Sequence, residues 1–267
     1  MINEELIELS LPYKGNSKTV RVFVPEHDED ELMPVIYMTD GQNLFDDGRP
    51  GQLGCWYTRE AVREERRKNS RAAVIVGIHN DEGQIRRACD LTFGSIGAIR
   101  FPEEMPLEIR KLMIPNGESF VEFVIETVMT EIEERFPVLT GRENIAFCGS
   151  SLGGLMSYYT VMSRSDIFCM GGVFSPAFSI YAAEDVIDRT RRICPNNAPH
   201  LYVYSGSGDV LEQEICESTQ AVVKAISGFY PKEKLNVKIR PEQRHHESAW
   251  AAEFKEFLHL FLNNQYI

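Results

Sequence analysis

At 267 residues, with 43% hydrophobic and 25% charged side chains, the chain has the composition of a globular protein with room for a sizeable core, neither disordered nor fibrous. A net charge of −12 without a basic cluster argues against a phosphate-backbone partner, so no nucleic acid is expected. No apolar run reaches membrane-spanning length, and the Met-Ile-Asn-Glu-Glu start lacks the basic and apolar parts of a secretion signal, which makes a cytoplasmic protein without membrane contact the expectation.

The N-terminal segments Leu6 to Leu11 and Thr19 to Val24 alternate roughly in polarity around a Gly-Asn-Ser turn, the pattern of an antiparallel hairpin at a sheet edge. Pro34 to Thr39 is an apolar run suited to a central strand. It ends in Asp40-Gly-Gln-Asn-Leu-Phe-Asp-Asp47, where the glycine lets the backbone fold back over the strand end, the place open α/β sheets reserve for ligands. Trp56 to Arg67 reads as a helix, and Ala72 to His79 as a buried parallel strand. His79, at that strand's carboxyl end, is a minor candidate for substrate contact.

From Asn80 to Asn116 the pattern has no period over an unusual length, as in a lid or substrate wall, with Arg86 and Arg87 available to an acidic or phenolic group. A helix follows, with Ser119-x-x-Glu122 as a capping box, Val121, Ile125, Val128 and Ile132 at helical spacing, and Pro137 as its stop.

Asn144 to Cys148 is suited to a buried strand and Leu152 to Met162 to a helix, so Gly149-Ser-Ser-Leu-Gly153 is the sharp turn between them. In a G-x-S-x-G turn the flanking glycines make room for a serine hydroxyl raised at the sheet's end, and only Ser151 has glycines two before and two after. Ser150 reads as a buried structural neighbour.

Alternation continues with a strand at Met170 to Phe174, a helix from Ala182 to Arg192, a strand at Leu201 to Tyr204, a helix from Glu212 to Ser227 and a strand at Leu235 to Ile239. A terminal helix presents Phe254, Phe257, Leu258 and Phe261. With no repeat or linker, one domain over 1–267 is expected. Cys55, Cys89, Cys148, Cys169, Cys194 and Cys216 show neither C-x-x-C pairing nor metal spacing, so they read as reduced and structural, and neither metal nor cofactor is expected.

A serine hydroxyl needs a base to take its proton and a carboxylate to hold that base. In a serine hydrolase of this topology the carboxylate and the histidine follow the serine, each after a strand. Asp209 follows the Leu201 to Tyr204 strand through a glycine-rich turn, with Glu212 and Glu214 as rivals that read more simply as helix-start or surface carboxylates. The adjacent His245 and His246 follow the last strand. The backbone N–H groups of Leu152 and Gln42 are the candidates for the pair of donors that an oxyanion requires.

Four motifs, Asp40-Gly-Gln-Asn-Leu-Phe-Asp46, Gly149-Ser-Ser-Leu-Gly-Gly154, Ser175-Pro-Ala-Phe178 and His246-Glu-Ser-Ala-Trp250, resemble in order those of the Putative esterase family. That family includes enterochelin-esterase-like, feruloyl and acetyl-xylan esterases and the mycolyltransferases. The resemblance, from about Pro34 onward, implies an α/β-hydrolase fold, with a mostly parallel sheet, an antiparallel N-terminal edge and helices on both faces. It implies a serine esterase acting on a small-molecule ester through an acyl-enzyme, with Ser151, Asp209 and His246 as the triad and Gln42 and Leu152 at the oxyanion. His246 is preferred to His245 on this resemblance. The chain departs from the family in one respect, since many members carry Glu where it has Asp209. Acyl transfer to an acceptor other than water, or a binding module on the same fold, are the alternatives.

Overall fold

In a computed structural model of the chain, which describes residues 1–46, 54–80 and 83–263, strands β1 (Glu5–Tyr13) and β2 (Asn16–Val24) pair as an antiparallel hairpin. Lys14 and Gly15 form its turn, with φ of 49° and 77°, the left-handed pair that a two-residue hairpin requires. The turn is shorter than expected, because Asn16 and Ser17 are paired opposite Tyr13 and Pro12.

Six further strands complete one sheet: β3 (Val35–Met38), β4 (Val74–Ile78), β5 (Ile145–Ser150), β6 (Met170–Phe174), β7 (His200–Gly206) and β8 (Leu235–Arg240). Their order is β1-β2-β4-β3-β5-β6-β7-β8. β2 meets β4 antiparallel, and all pairings from β4 to β8 are parallel. This is the mixed sheet with an antiparallel edge that the sequence implied. Every residue of β3, β4, β5 and β6 is buried, as their continuous apolar runs demand when helices cover both faces.

The helices are α1 (Thr58–Asn69), α2 (Gln84–Asp90), α3 (Leu107–Leu112), α4 (Gly117–Phe123), α5 (Thr130–Arg135), α6 (Leu152–Ser163), α7 (Ala183–Ile193), α8 (Val210–Ile226) and α9 (Glu247–Asn263). A π-helical stretch, Val124–Met129, joins α4 to α5. The expected capping box is absent: Ser119 and Glu122 lie inside α4, which begins at Gly117 behind Asn116. The aperiodic 80–116 segment contains α2 and α3, both too short to show a helical period. Among the described residues no helix is long and apolar enough to cross a membrane.

After β3 the chain moves to β4 on one side, then returns to β5 on the other. Strand order therefore reverses between β3 and β5, and the carboxyl ends of such strands open into a crevice. Asp40 leaves β3 there and Ser151 leaves β5.

Candidate active site

Ser151 stands between β5 and α6 with φ 59° and ψ −122°, a conformation that costs an L-residue backbone energy and persists only where its surroundings impose it. The imposition is visible at the two glycines of the turn. A Cβ on Gly149 would lie 2.4 Å from the Thr39 hydroxyl oxygen, and one on Gly153 2.1 Å from it, so the residue that follows β3 presses directly on the turn. Ser150 is only 4% exposed, as expected of the structural neighbour. Leu152 is the first residue of α6, where a backbone N–H has no intrahelical acceptor and points out of the helix end.

Asp40 is also left-handed, with φ 55°, ahead of a 3₁₀ turn over Gly41–Asn43. A Cβ on Gly41 would meet the Gly77 backbone carbon at 2.4 Å, so the turn is seated on β4 and only glycine fits. Burial works against the charge on Asp40, but the Arg87 guanidinium, with help from Asn80 and Gln42, holds its carboxyl below the usual range. Arg87 donates from Nε and Nη2 to the two carboxylate oxygens at 2.7 and 2.9 Å. The Gln42 side-chain oxygen accepts the Asn80 N–H at 3.2 Å. Gln42 is thereby fixed with its main chain at the crevice.

Ser151, Gln42 and His245 line one cavity of about 480 Å³, with Trp56, Trp250 and a group of polar side chains that includes Asn43, Asn80, Gln84, Arg87 and Glu247. His79 and Arg86 are not among its lining residues. Arg86 lines a separate pocket beside the β1–β2 hairpin.

The geometry departs from expectation at the acid and the base. Asp209 caps α8: its Oδ1 accepts the Glu212 N–H at 2.9 Å and its Oδ2 accepts the His245 N–H at 2.9 Å. Those two backbone donors hold its carboxyl below the ordinary value, and neither oxygen receives an imidazole. His246 turns outward, its side chain 52% exposed, and its Nδ1 bonds with Ser248 at 3.0 Å. Of the two loop histidines, the one hydrogen-bonded to a carboxylate is His245, whose Nδ1 lies 2.6 Å from Glu212 Oε2.

Glu212 is fully buried. Its Oε1 accepts from the Ser175 hydroxyl at 2.6 Å, the Gly206 N–H at 2.7 Å and the Ser205 hydroxyl at 3.2 Å. In the tautomer that donates from Nδ1 to Glu212, the His245 ring keeps its lone pair at Nε2. Such a ring accepts a proton at Nε2. The helix pattern held a signal for Glu212: it occupies the same stripe of α8 as the buried Ile215, Cys216, Thr219, Val222 and Ile226, where a surface carboxylate does not belong.

A serine on a strained strand-to-helix turn, in the crevice of a mixed α/β sheet and lining one cavity with a carboxylate-bonded imidazole, is the arrangement of an α/β-hydrolase. The family model described as Putative esterase matches residues 13–260. The chain belongs to the Putative esterase family, and with it to the carboxylic ester hydrolases. Solved structures agree on the fold. The chain is similar to the BES protein from Bacillus cereus, with 20% identity, coverage of 98% of this chain and 95% of that one, and a TM-score of 0.71. It is similar to the siderophore hydrolase EstB from Aspergillus nidulans, with 20% identity, 99% and 96% coverage, and a TM-score of 0.71. A ferulic acid esterase from Anaeromyces mucronatus gives 20% identity, 97% and 91% coverage, and a TM-score of 0.65. A comparison of the sequence with curated proteins finds no match.

Proposed function

We propose that the chain hydrolyses its ester through an acyl-enzyme, with Ser151 as nucleophile, His245 as general base and acid, and Glu212 as the carboxylate that orients the imidazole. The observation that carries this reading is the 2.6 Å contact between His245 Nδ1 and the fully buried Glu212, on a ring that shares the cavity of Ser151. His245 Nε2 takes the Ser151 proton as Oγ attacks the ester carbonyl. The backbone N–H groups of Gln42 and Leu152 receive the oxyanion. The same imidazole then gives its proton to the departing alkoxide, leaving the acyl group on Ser151. Water, deprotonated by His245, attacks that ester; the bond to Ser151 Oγ breaks, Oγ takes the proton back from His245, and the acid leaves.

The polar cavity walls favour a compact, hydrogen-bonding ester over one with a long alkyl chain. Two of the similar structures are named a siderophore hydrolase and a ferulic acid esterase.

Turnover of p-nitrophenyl acetate, with a burst equal to the enzyme concentration and no requirement for an added acceptor, tests hydrolysis through an acyl-enzyme. Activity should decline from acetate to long-chain esters. Glu212→Gln and His245→Ala should lose on the order of 10³-fold or more in kcat, the scale at which a serine triad fails. His246→Ala should stay near the wild-type rate. The opposite pattern, with His246→Ala inactive and His245→Ala active, would return the base to His246.

A further inference from the structure

We infer that Ser175 is a positioning residue for the reaction, acting with Trp250 to aim Glu212 at His245; this rests on the proposed roles of Glu212 and His245. Ser175 follows β6 with φ 41° and is fully buried. Glycine would take that backbone conformation without strain, so a serine there is explained by its hydroxyl. That hydroxyl has one proton to give and lone pairs to receive. The Trp250 indole N–H donates to Ser175 Oγ at 2.9 Å. An indole only donates, so the serine proton is left for Glu212 Oε1, at 2.6 Å.

The contact falls on the carboxylate oxygen that does not face the imidazole. Together with the Gly206 N–H at 2.7 Å on the same oxygen, it fixes the rotation of the carboxylate and leaves Oε2 for His245. Trp250 closes the circuit from the other side, its indole edge-on to the His245 ring at 4.9 Å between centroids and 89° between planes. Imidazole, carboxylate, hydroxyl and indole thus form a ring of four side chains, drawn from the loop before α9, from α8, from the end of β6 and from α9. Ser175-Pro-Ala-Phe178 and His246-Glu-Ser-Ala-Trp250, two motifs of the sequence, meet at this contact.

The test compares Ser175→Gly, which keeps the backbone conformation and deletes the hydroxyl, with Ser175→Ala and Trp250→Phe, each alone and in a Glu212→Gln background. Ester hydrolysis and the thermal midpoint are measured for all. Ser175→Gly should fold and lose about 10- to 100-fold in kcat, the range seen when groups that orient metal ligands are removed, while KM stays within about twofold. Trp250→Phe, which keeps a ring against His245 but removes the N–H, should lose kcat in the same direction. In Glu212→Gln the further loss from Ser175→Gly should shrink to about threefold or less, because the hydroxyl acts through that carboxylate. Folded Ser175 variants with the wild-type kcat, beside an impaired Glu212→Gln, would overturn the inference and leave the triad standing. A loss carried entirely by KM, or one that multiplies undiminished in Glu212→Gln, would also overturn it. A fully active Glu212→Gln would remove the triad assignment and this role with it.

Discussion

At Ser151 the backbone itself is strained, by about 1–3 kcal/mol for a residue held in so sparse a region. The close approach of Thr39 to Gly149 and Gly153 explains why β3 and β5 must be neighbours for the turn to exist. Ser151→Ala should therefore leave the fold intact and abolish turnover by about 10³-fold or more, whereas Ser150→Ala keeps most of it, a contrast that one steady-state assay reads. Gln42→Ala should be mild in kcat, since alanine retains the backbone N–H. Gln42→Pro removes it and should cost about 10²-fold or more. Equal effects of the two substitutions, with both proteins folded, would place the donor elsewhere.

Asp209 has a different part from the one its sequence position suggested. Its two oxygens tie the backbone of Glu212 to that of His245, so it holds the two segments together without meeting either side chain. Asp209→Ala removes an N-cap worth about 1 kcal/mol and loosens the two segments; a lower thermal midpoint with partial activity is expected, against near-complete loss for Glu212→Gln. The serine was legible because its requirement, glycines at fixed spacing between a strand and a helix, is local. The proposed acid and base, Glu212 and His245, were not, because the choice depends on where α8 begins and which of two neighbouring loop residues faces inward. α8 starts at Val210, two residues ahead of the expected start, and that shift makes Asp209 a cap and turns Glu212 into the core.

Among the elements, α2 connects the hairpin to the cavity. Arg87 reaches Asp40 in the cavity wall, while Asp90, three residues on, accepts from Tyr13 at 2.8 Å, Lys18 at 2.9 Å and Asn116 at 3.1 Å. The Lys18 side chain is only 1% exposed, and its ammonium lies 4.9 Å from the Tyr13 ring centroid. Removing one member of a buried ion pair strands the other charge, so Lys18→Met should destabilise the protein by about 3–5 kcal/mol, read from the denaturant midpoint. A change within about 0.5 kcal/mol, the ordinary surface value, would show that the pair does not anchor the hairpin. The long β and α segments were readable because their apolar periods persist over many residues. α2 was not, since seven residues give barely two turns and its buried residues are one small alanine, Ala88, and the charged Asp90.

For the molecule as a whole, pH acts through a group far from the cavity. Burial, together with Lys234 and Arg142, pushes His200 from its ordinary 6.5 down to about 4. As pH falls below 6.5 the unfolded chain takes up a proton that the folded chain declines until about 4, so the stabilisation is complete above that window and is lost progressively through it. The thermal midpoint should fall with acidification across this range, and His200→Asn should flatten the dependence. An unchanged slope in that variant would assign acid sensitivity to other groups. The open sheet is equally a whole-molecule property: its strand order was not readable from the sequence, since adjacency of β3 to β4 and β5 depends on packing between distant segments.

Trp250 completes the circuit around His245, and it lies on α9, some two hundred residues along the chain from the Asp40 turn that lines the same cavity. A ribosome making this protein therefore produces the crevice, the serine and the carboxylate well before it produces the two rings that organise them. Chains halted ahead of Arg244 are expected to show no esterase activity, and activity in a time-resolved translation reaction should lag the appearance of folded sheet until the terminal helix has emerged. Activity toward esters is thus expected only in chains long enough to include α9.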